Sequence, residues 1–193
     1  GAVIGGYFVI TDGIIIAIIL GFAILSIYFY STKIVDSGLG EFFVAVKGSM
    51  IVIGTFFIQS GELSLESVFG GIIVGALSAL VLFIASFPDH DADKSKGRKT
   101  LVILIGKQKA TTLFWIFPLI SYCTILIGVF TNLLPMLSLI TFLSFPLMIK
   151  SGLGLQKNYN SVEDLIPYMS STLMFSRVTG ILFVIGILIG FMV

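Results

Sequence analysis

The amino-acid sequence predicts an all-α protein, a polytopic transmembrane helix bundle forming one domain over residues 1–193. Three observations carry that expectation. Hydrophobic residues make up 57% of the chain and charged residues only 11%, against roughly a quarter charged in ordinary soluble domains. Six runs reach or approach the length of about 20 mostly apolar residues that a membrane-crossing helix needs: residues 13–30, 41–59, 66–87, 109–130, 134–149 and 173–193. Strand-type alternation is absent from them, which disfavours a barrel. The net charge of +1 gives no reason to expect a nucleic-acid partner.

Taken in order, residues 2–10 are apolar but too short to cross alone, and read as the tail of an earlier helix. Gly1 opens directly into this run without a charged leader, so no signal peptide is expected. The run 13–30 ends in Tyr28, Phe29 and Tyr30, followed by Lys33. Aromatic residues and lysine at a span's end ordinarily anchor it at the interface. The functional alternative is that Lys33 meets a phosphate group while Tyr30 steadies a bound molecule. Glu41 and Lys47 open the next run. Ionisable groups in a span usually face a cavity or a partner, so this face is expected to line a polar chamber, with Gln59 and Glu62 as rim residues at the far end. Glycines 21, 54, 70, 71, 75, 128, 186 and 190 fall within the runs and are expected to let helices pack closely. Cys123 lies in the fourth run, with neither a base nor a cation nearby in sequence, and reads as a packing residue. After residue 149 a loop is expected over 150–172. It would hold a short amphipathic helix opening at Ser161, whose hydroxyl is followed by acids at 163 and 164.

Alternating the spans divides the connections between two sides. One side receives residues 11–12, 60–65, 131–133 and the C-terminus, with no lysine or arginine. The other receives 31–40, 88–108 and 150–172, with Lys47, Lys109 and Arg177 expected near helix ends on that side. By the positive-inside rule the basic side is expected to be cytoplasmic, in a multi-pass protein of the cell membrane.

The richest polar segment closes the run 66–87: Phe87-Pro88-Asp89-His90-Asp91-Ala92-Asp93-Lys94-Ser95-Lys96-Gly97-Arg98-Lys99-Thr100. A spacing of four puts Asp89 and Asp93 on one helix face, where their oxygens could share a cation. Mg²⁺ typically takes one or two carboxylates and leaves positions for phosphate oxygens. Lys94, Arg98 and Lys99 would add charge for the same phosphates. The pattern points to a magnesium–diphosphate site at a membrane surface, and the plainer reading is a solvated, charge-balanced loop. Asp91 would point about 160° away from the paired acids. His90 is expected to be solvated, because no second histidine or cysteine nearby completes a transition-metal set.

These residues resemble the UbiA superfamily of intramembrane prenyltransferases, whose second aspartate motif closes a transmembrane helix with two acids four apart. Asp89 and Asp93 fit that motif. The continuation Gly97-Arg98-Lys99-Thr100-Leu101-Val102 with Gly106, and the element Gly38-Leu39-Gly40-Glu41, are similar to the branch that prenylates 1,4-dihydroxy-2-naphthoate. Tyr30 and Lys33 match the family's tyrosine–lysine element loosely. The resemblance implies part of a nine-helix bundle. It also implies Mg²⁺-dependent transfer from a polyprenyl diphosphate to an aromatic acceptor in quinone biosynthesis, within the lipid bilayer. Asp89 and Asp93 would be the metal-binding and catalytic pair. Lys33, Lys94, Arg98 and Lys99 would meet the diphosphate, with Tyr30, Glu41 and Lys47 at the substrate cavity. The family's first aspartate-rich motif has no counterpart here, so the chain is expected to lack its N-terminal helices and to carry half of the catalytic site.

Other classes fit less well. CDP-alcohol phosphotransferases need Asp-x-x-Asp-Gly, and Gly97 lies four residues after Asp93. Transport sites favour ionisable groups near the bilayer midplane, whereas these acids end a span. Within the superfamily, 4-hydroxybenzoate and geranylgeranylglyceryl phosphate remain alternative acceptors.

Overall fold

The computed structural model describes residues 2–29 and 37–192, and the described residues form helices without any strand. Tyr30 and Lys33 lie outside the described residues. Ten α-helices follow one another: α1 (Ala2–Asp12), α2 (Ile14–Phe29), α3 (Gly40–Ser60), α4 (Leu65–Ala85), α5 (His90–Ser95), α6 (Leu101–Ile105), α7 (Lys107–Leu113), α8 (Ile116–Phe130), α9 (Phe145–Asn158) and α10 (Val162–Gly190). A 3-10 segment, Met136–Ser144, leads directly into α9. Among the described residues five elements are long and apolar enough to cross a membrane: Gly40–Ser60, Leu65–Ala85, Lys107–Phe130, Met136–Asn158 and Val162–Gly190. The chain is a multi-pass membrane protein. The expected span 13–30 supplies α2, whose 16 described residues fall short of the about 20 needed to cross.

α4 is the central helix, packing against α3, α8 and α10. Its Ile73, Leu80, Phe83 and Ile84 are fully buried and meet Phe114, Ile125, Leu155 and Phe175 in the core. The α3–α4 hairpin turns at Gly61, whose φ of +78° suits glycine and whose N–H donates to Phe57 O at 2.8 Å. Ser64 then caps α4 by accepting from Ser67 N at 3.1 Å. Along the seam a Cβ at Gly75 would collide with the Ala45 carbonyl oxygen. Ser49 Oγ donates across it to Gly71 O at 2.9 Å. Small residues let the two backbones approach, as expected for a lipid-embedded pair. Gly71, Gly128, Gly186 and Gly190 are crowded in the same way, whereas Gly21 has open space around it.

The 3-10 segment is unusual in its nine-residue length, since such helices seldom exceed three or four residues. Its three-residue repeat stacks Ser138, Thr141 and Ser144 in one line, and all three are fully buried. Thr141 Oγ1 donates to Ser138 O and Ser144 Oγ to Thr141 O, at 2.8 and 2.6 Å. Ser144 Oγ also bonds Tyr122 Oη at 2.8 Å and Thr179 Oγ1 at 2.7 Å, tying α8 to α10.

Several sequence expectations are corrected. The loop expected over 150–172 does not exist as such. α9 continues to Asn158, and Ser161 caps α10 itself by accepting from Asp164 N at 3.3 Å. The polar residues that read as loop are accommodated because Lys150, Lys157, Glu163 and Asp164 are exposed on helices. The short amphipathic helix and the span 173–193 are therefore one 29-residue helix. Arg177 falls fifteen residues after Val162 and thirteen before Gly190, near the middle of α10 instead of its end. Cys123 does not pack inside; it is exposed on the outer face of α8.

Candidate functional site

The aspartate segment is built by the end of α4. Beyond Ala85 the chain turns through the buried Ser86 and Phe87, and Asp89 precedes the single short helix α5. Asp93 N donates to Asp89 O at 2.8 Å, so the two acids stand one helical turn apart, as their spacing requires. Asp89 is exposed, while the Asp93 side chain is only 13% exposed. Arg98 covers Asp93. Its Nη1 lies 2.9 Å from Asp93 Oδ1, and its backbone N–H donates to Asp93 O at 3.0 Å. Gly97, with a φ of +78°, turns the chain back to allow this. One cation expected to meet a diphosphate thus rests on one of the expected metal ligands. Lys94 and Lys99 are exposed.

Asp91 points elsewhere, as expected, but it is engaged. His90 Nδ1 lies 2.7 Å from Asp91 Oδ1, and Lys107 Nζ lies 3.5 Å from Oδ2. The His90 hydrogen bond, followed by the Lys107 charge, holds the Asp91 carboxyl below the usual carboxylate range. The expectation of a solvated His90 is corrected, since its side chain is 12% exposed and bonded to Asp91. Among the described residues no three acids, histidines or cysteines converge on a common point.

The returning end of the segment meets the beginning of α3. Gly38 has a φ of +75°, and a Cβ there would overlap Leu104 Cδ1 and approach Lys99 O to 3.4 Å. Thr100 caps α6, accepting from Ile103 N at 3.4 Å, and Val102 is fully buried. Beside this junction lies a cavity of about 540 Å³ whose walls come from α3, α4, α6, α7 and α8. Glu41, Leu101, Leu113 and Phe117 are among its lining residues. Glu41 is buried in the first turn of α3. Lys47 is not part of the wall; it is exposed. Six residues along a helix turn it about 120° from Glu41, so the expectation that both line one chamber fails for Lys47. The contact between Gly38 and Leu104 was not readable in advance, although the positive-φ glycines at 38 and 97 were its available signals.

The profile of the UbiA prenyltransferase family matches residues 1–175. The chain belongs to this family. The UbiA match includes both the Gly38–Glu41 element and the whole aspartate segment. Three curated relatives agree, each named 1,4-dihydroxy-2-naphthoate octaprenyltransferase. The Bacillus subtilis protein is 30% identical over 153 residues, covering 79% of this chain and 49% of the relative. Those of Haemophilus influenzae and Escherichia coli are each 27% identical, covering 79% and 78% of the chain and 50% and 49% of the relatives. The chain thus spans about half the length of the curated relatives it matches. No solved structure matches it significantly.

Proposed function

We propose that this UbiA chain takes part in transferring a polyprenyl group from a polyprenyl diphosphate to an aromatic acceptor, 1,4-dihydroxy-2-naphthoate, in quinone biosynthesis. One observation carries the reading. The connection from α4 to α7 bears the paired acids Asp89 and Asp93 at its start and, at Leu101, contributes to the wall of an apolar cavity. An ionic group and an oily group of one substrate can therefore be handled side by side. The names of the curated relatives support the same acceptor.

Asp89 and Asp93 are the residues that would hold Mg²⁺. The donor set fits a hard ion that takes two carboxylates and completes its shell with phosphate oxygens and water. Bound there, Mg²⁺ supplies charge neutralisation to a departing diphosphate. Lys94 and Lys99, exposed beside the pair, add positive charge, and Arg98 is close enough to exchange Asp93 for a phosphate oxygen. Lys33 and Tyr30 belong to the same reading by their place in the sequence. The cavity walls are largely apolar and would suit the oily part of a substrate. Because lysine and arginine are absent from the connections at 11–13, 61–64 and 131–135, the aspartate side faces the cytoplasm of a cell-membrane protein.

The test uses the full-length protein in membranes with a labelled polyprenyl diphosphate. Transfer to 1,4-dihydroxy-2-naphthoate that stops on chelation and returns with Mg²⁺ is expected. Transfer to 4-hydroxybenzoate alone would move the acceptor, and no transfer to either would end the reading.

A further inference from the structure

We propose that Glu41 recognises the aromatic acceptor by accepting a hydrogen bond from one of its ring hydroxyl groups. This rests on the prenyl-transfer reading and adds a residue and a contact to it.

Glu41 is only 5% exposed and lines the cavity of about 540 Å³, a volume within the ordinary range for small-molecule sites. The cavity is otherwise oily, with Phe42, Ile53, Ile72 and Phe117 among its walls. Ser49 is the other polar side chain there, and its hydroxyl hydrogen is already directed at Ala45 O and Gly71 O. The Glu41 carboxyl is hydrogen-bonded by its own backbone amide, and among the described residues no hydrogen bond or ion pair to another side chain is seen. A carboxylate has about four acceptor positions, so one backbone amide leaves capacity for a further donor. Among the described residues no lysine or arginine lines the cavity. The occupant that completes such a site is flat enough to lie against Phe42 and Phe117, apolar over most of its surface, and armed with a hydroxyl donor. A hydroxylated aromatic ring meets all three conditions. A diphosphate meets none: it is neither flat nor apolar, and among the described residues no cation lines the wall to receive it. A prenyl chain would match the oil but offer the carboxyl no donor.

Sites built around a substrate hydroxyl reject analogues lacking it far more strongly than oily pockets reject a missing methylene. The experiment uses the full-length protein and its Glu41→Ala and Glu41→Gln variants. Equilibrium binding of 1,4-dihydroxy-2-naphthoate, 1-hydroxy-2-naphthoate and 4-hydroxy-2-naphthoate is measured in detergent, alongside separate KM values for acceptor and polyprenyl diphosphate. The wild type is expected to bind one of the two monohydroxy analogues at least tenfold more weakly than the dihydroxy compound. Glu41→Ala should bind all three within about threefold of one another and raise the acceptor KM at least tenfold. The diphosphate KM should stay within twofold. Glu41→Gln keeps the shape and one acceptor oxygen, and is expected to retain part of the discrimination even if the alanine variant does not fold. Unchanged discrimination in either folded variant, or equal shifts in both KM values, would overturn the assignment. Glu41-dependent binding without any prenyl transfer by the wild type would uphold the contact and reject the reaction.

Discussion

Gly38 touches Leu104 so closely that any Cβ at residue 38 would overlap the leucine Cδ1, and the glycine φ is +75°. That contact joins the entrance of α3 to the end of the aspartate segment. Gly38→Ala meets a steric and a conformational obstacle together, and is expected to cost about 1–3 kcal/mol. Thermal denaturation in detergent should show a lower Tm. Adding Leu104→Ala should recover the steric part only, leaving the backbone strain. A Gly38→Ala protein as stable as the wild type would mean that the two elements do not meet.

The three aspartates have different partners, so their loss should differ. In the full-length enzyme, Asp89→Asn and Asp93→Asn are expected to reduce prenyl transfer by about a hundredfold or more, the scale on which removing one charge-stabilising group acts. Asp91→Asn should stay within about tenfold, because Asp91 faces His90 and Lys107. Membrane insertion should be normal in all three. Equal and small effects would return the segment to a solvated loop.

Arg98 holds Asp93 in an ion pair, which a phosphate bound as proposed would have to loosen. Arg98→Gln is expected to raise the KM for the polyprenyl diphosphate by about tenfold while leaving the acceptor KM near its starting value, since a charge-assisted contact contributes about 1.5–3 kcal/mol. Steady-state kinetics with each substrate varied in turn checks this. A change confined to the acceptor KM would contradict it.

At the α3–α4 seam, Gly75→Leu should prevent the hairpin from closing, because the Ala45 carbonyl already occupies the space of a Cβ. Ser49→Ala loses one interhelical hydrogen bond and should cost only about 0.6 kcal/mol. Size-exclusion profiles and thermal melts in detergent distinguish the two outcomes.

Sidedness is open to chemical labelling. In a Cys123→Ser background, Glu62→Cys should react with an impermeant maleimide in intact cells, and Ser95→Cys only after permeabilisation. The reverse pattern would invert the topology.

The helices α3 and α4 could be read from the sequence almost to the residue, because each is a predominantly apolar run with turn residues at both ends. The boundary between α9 and α10 could not. Lys150, Lys157, Glu163 and Asp164 signal water, and a helix that projects its charged side chains outward carries the same signal as a loop. The Asp89–Asp93 relation was legible because helical spacing alone determines it. The Lys107–Asp91 contact, sixteen residues apart, and the Gly38–Leu104 contact depend on how α5 and α6 fold back. No periodicity records that. Lys47 was misplaced for a simpler reason: nearness in sequence to Glu41 is not nearness in direction around a helix.

The backbone of Met136–Ser144 also changes where Lys150 comes to rest. At an α-helical rise the lysine would stand about 21 Å along the axis from Met136. The stretched 3-10 turns carry it to about 25 Å. With Met136 set at one face of a hydrocarbon layer about 30 Å thick, the remaining gap would shrink from about 9 Å to about 5 Å, within reach of a lysine stem extended toward the headgroups. Drawing out nine residues at the start of the span would thus bring a charge partway along it closer to water.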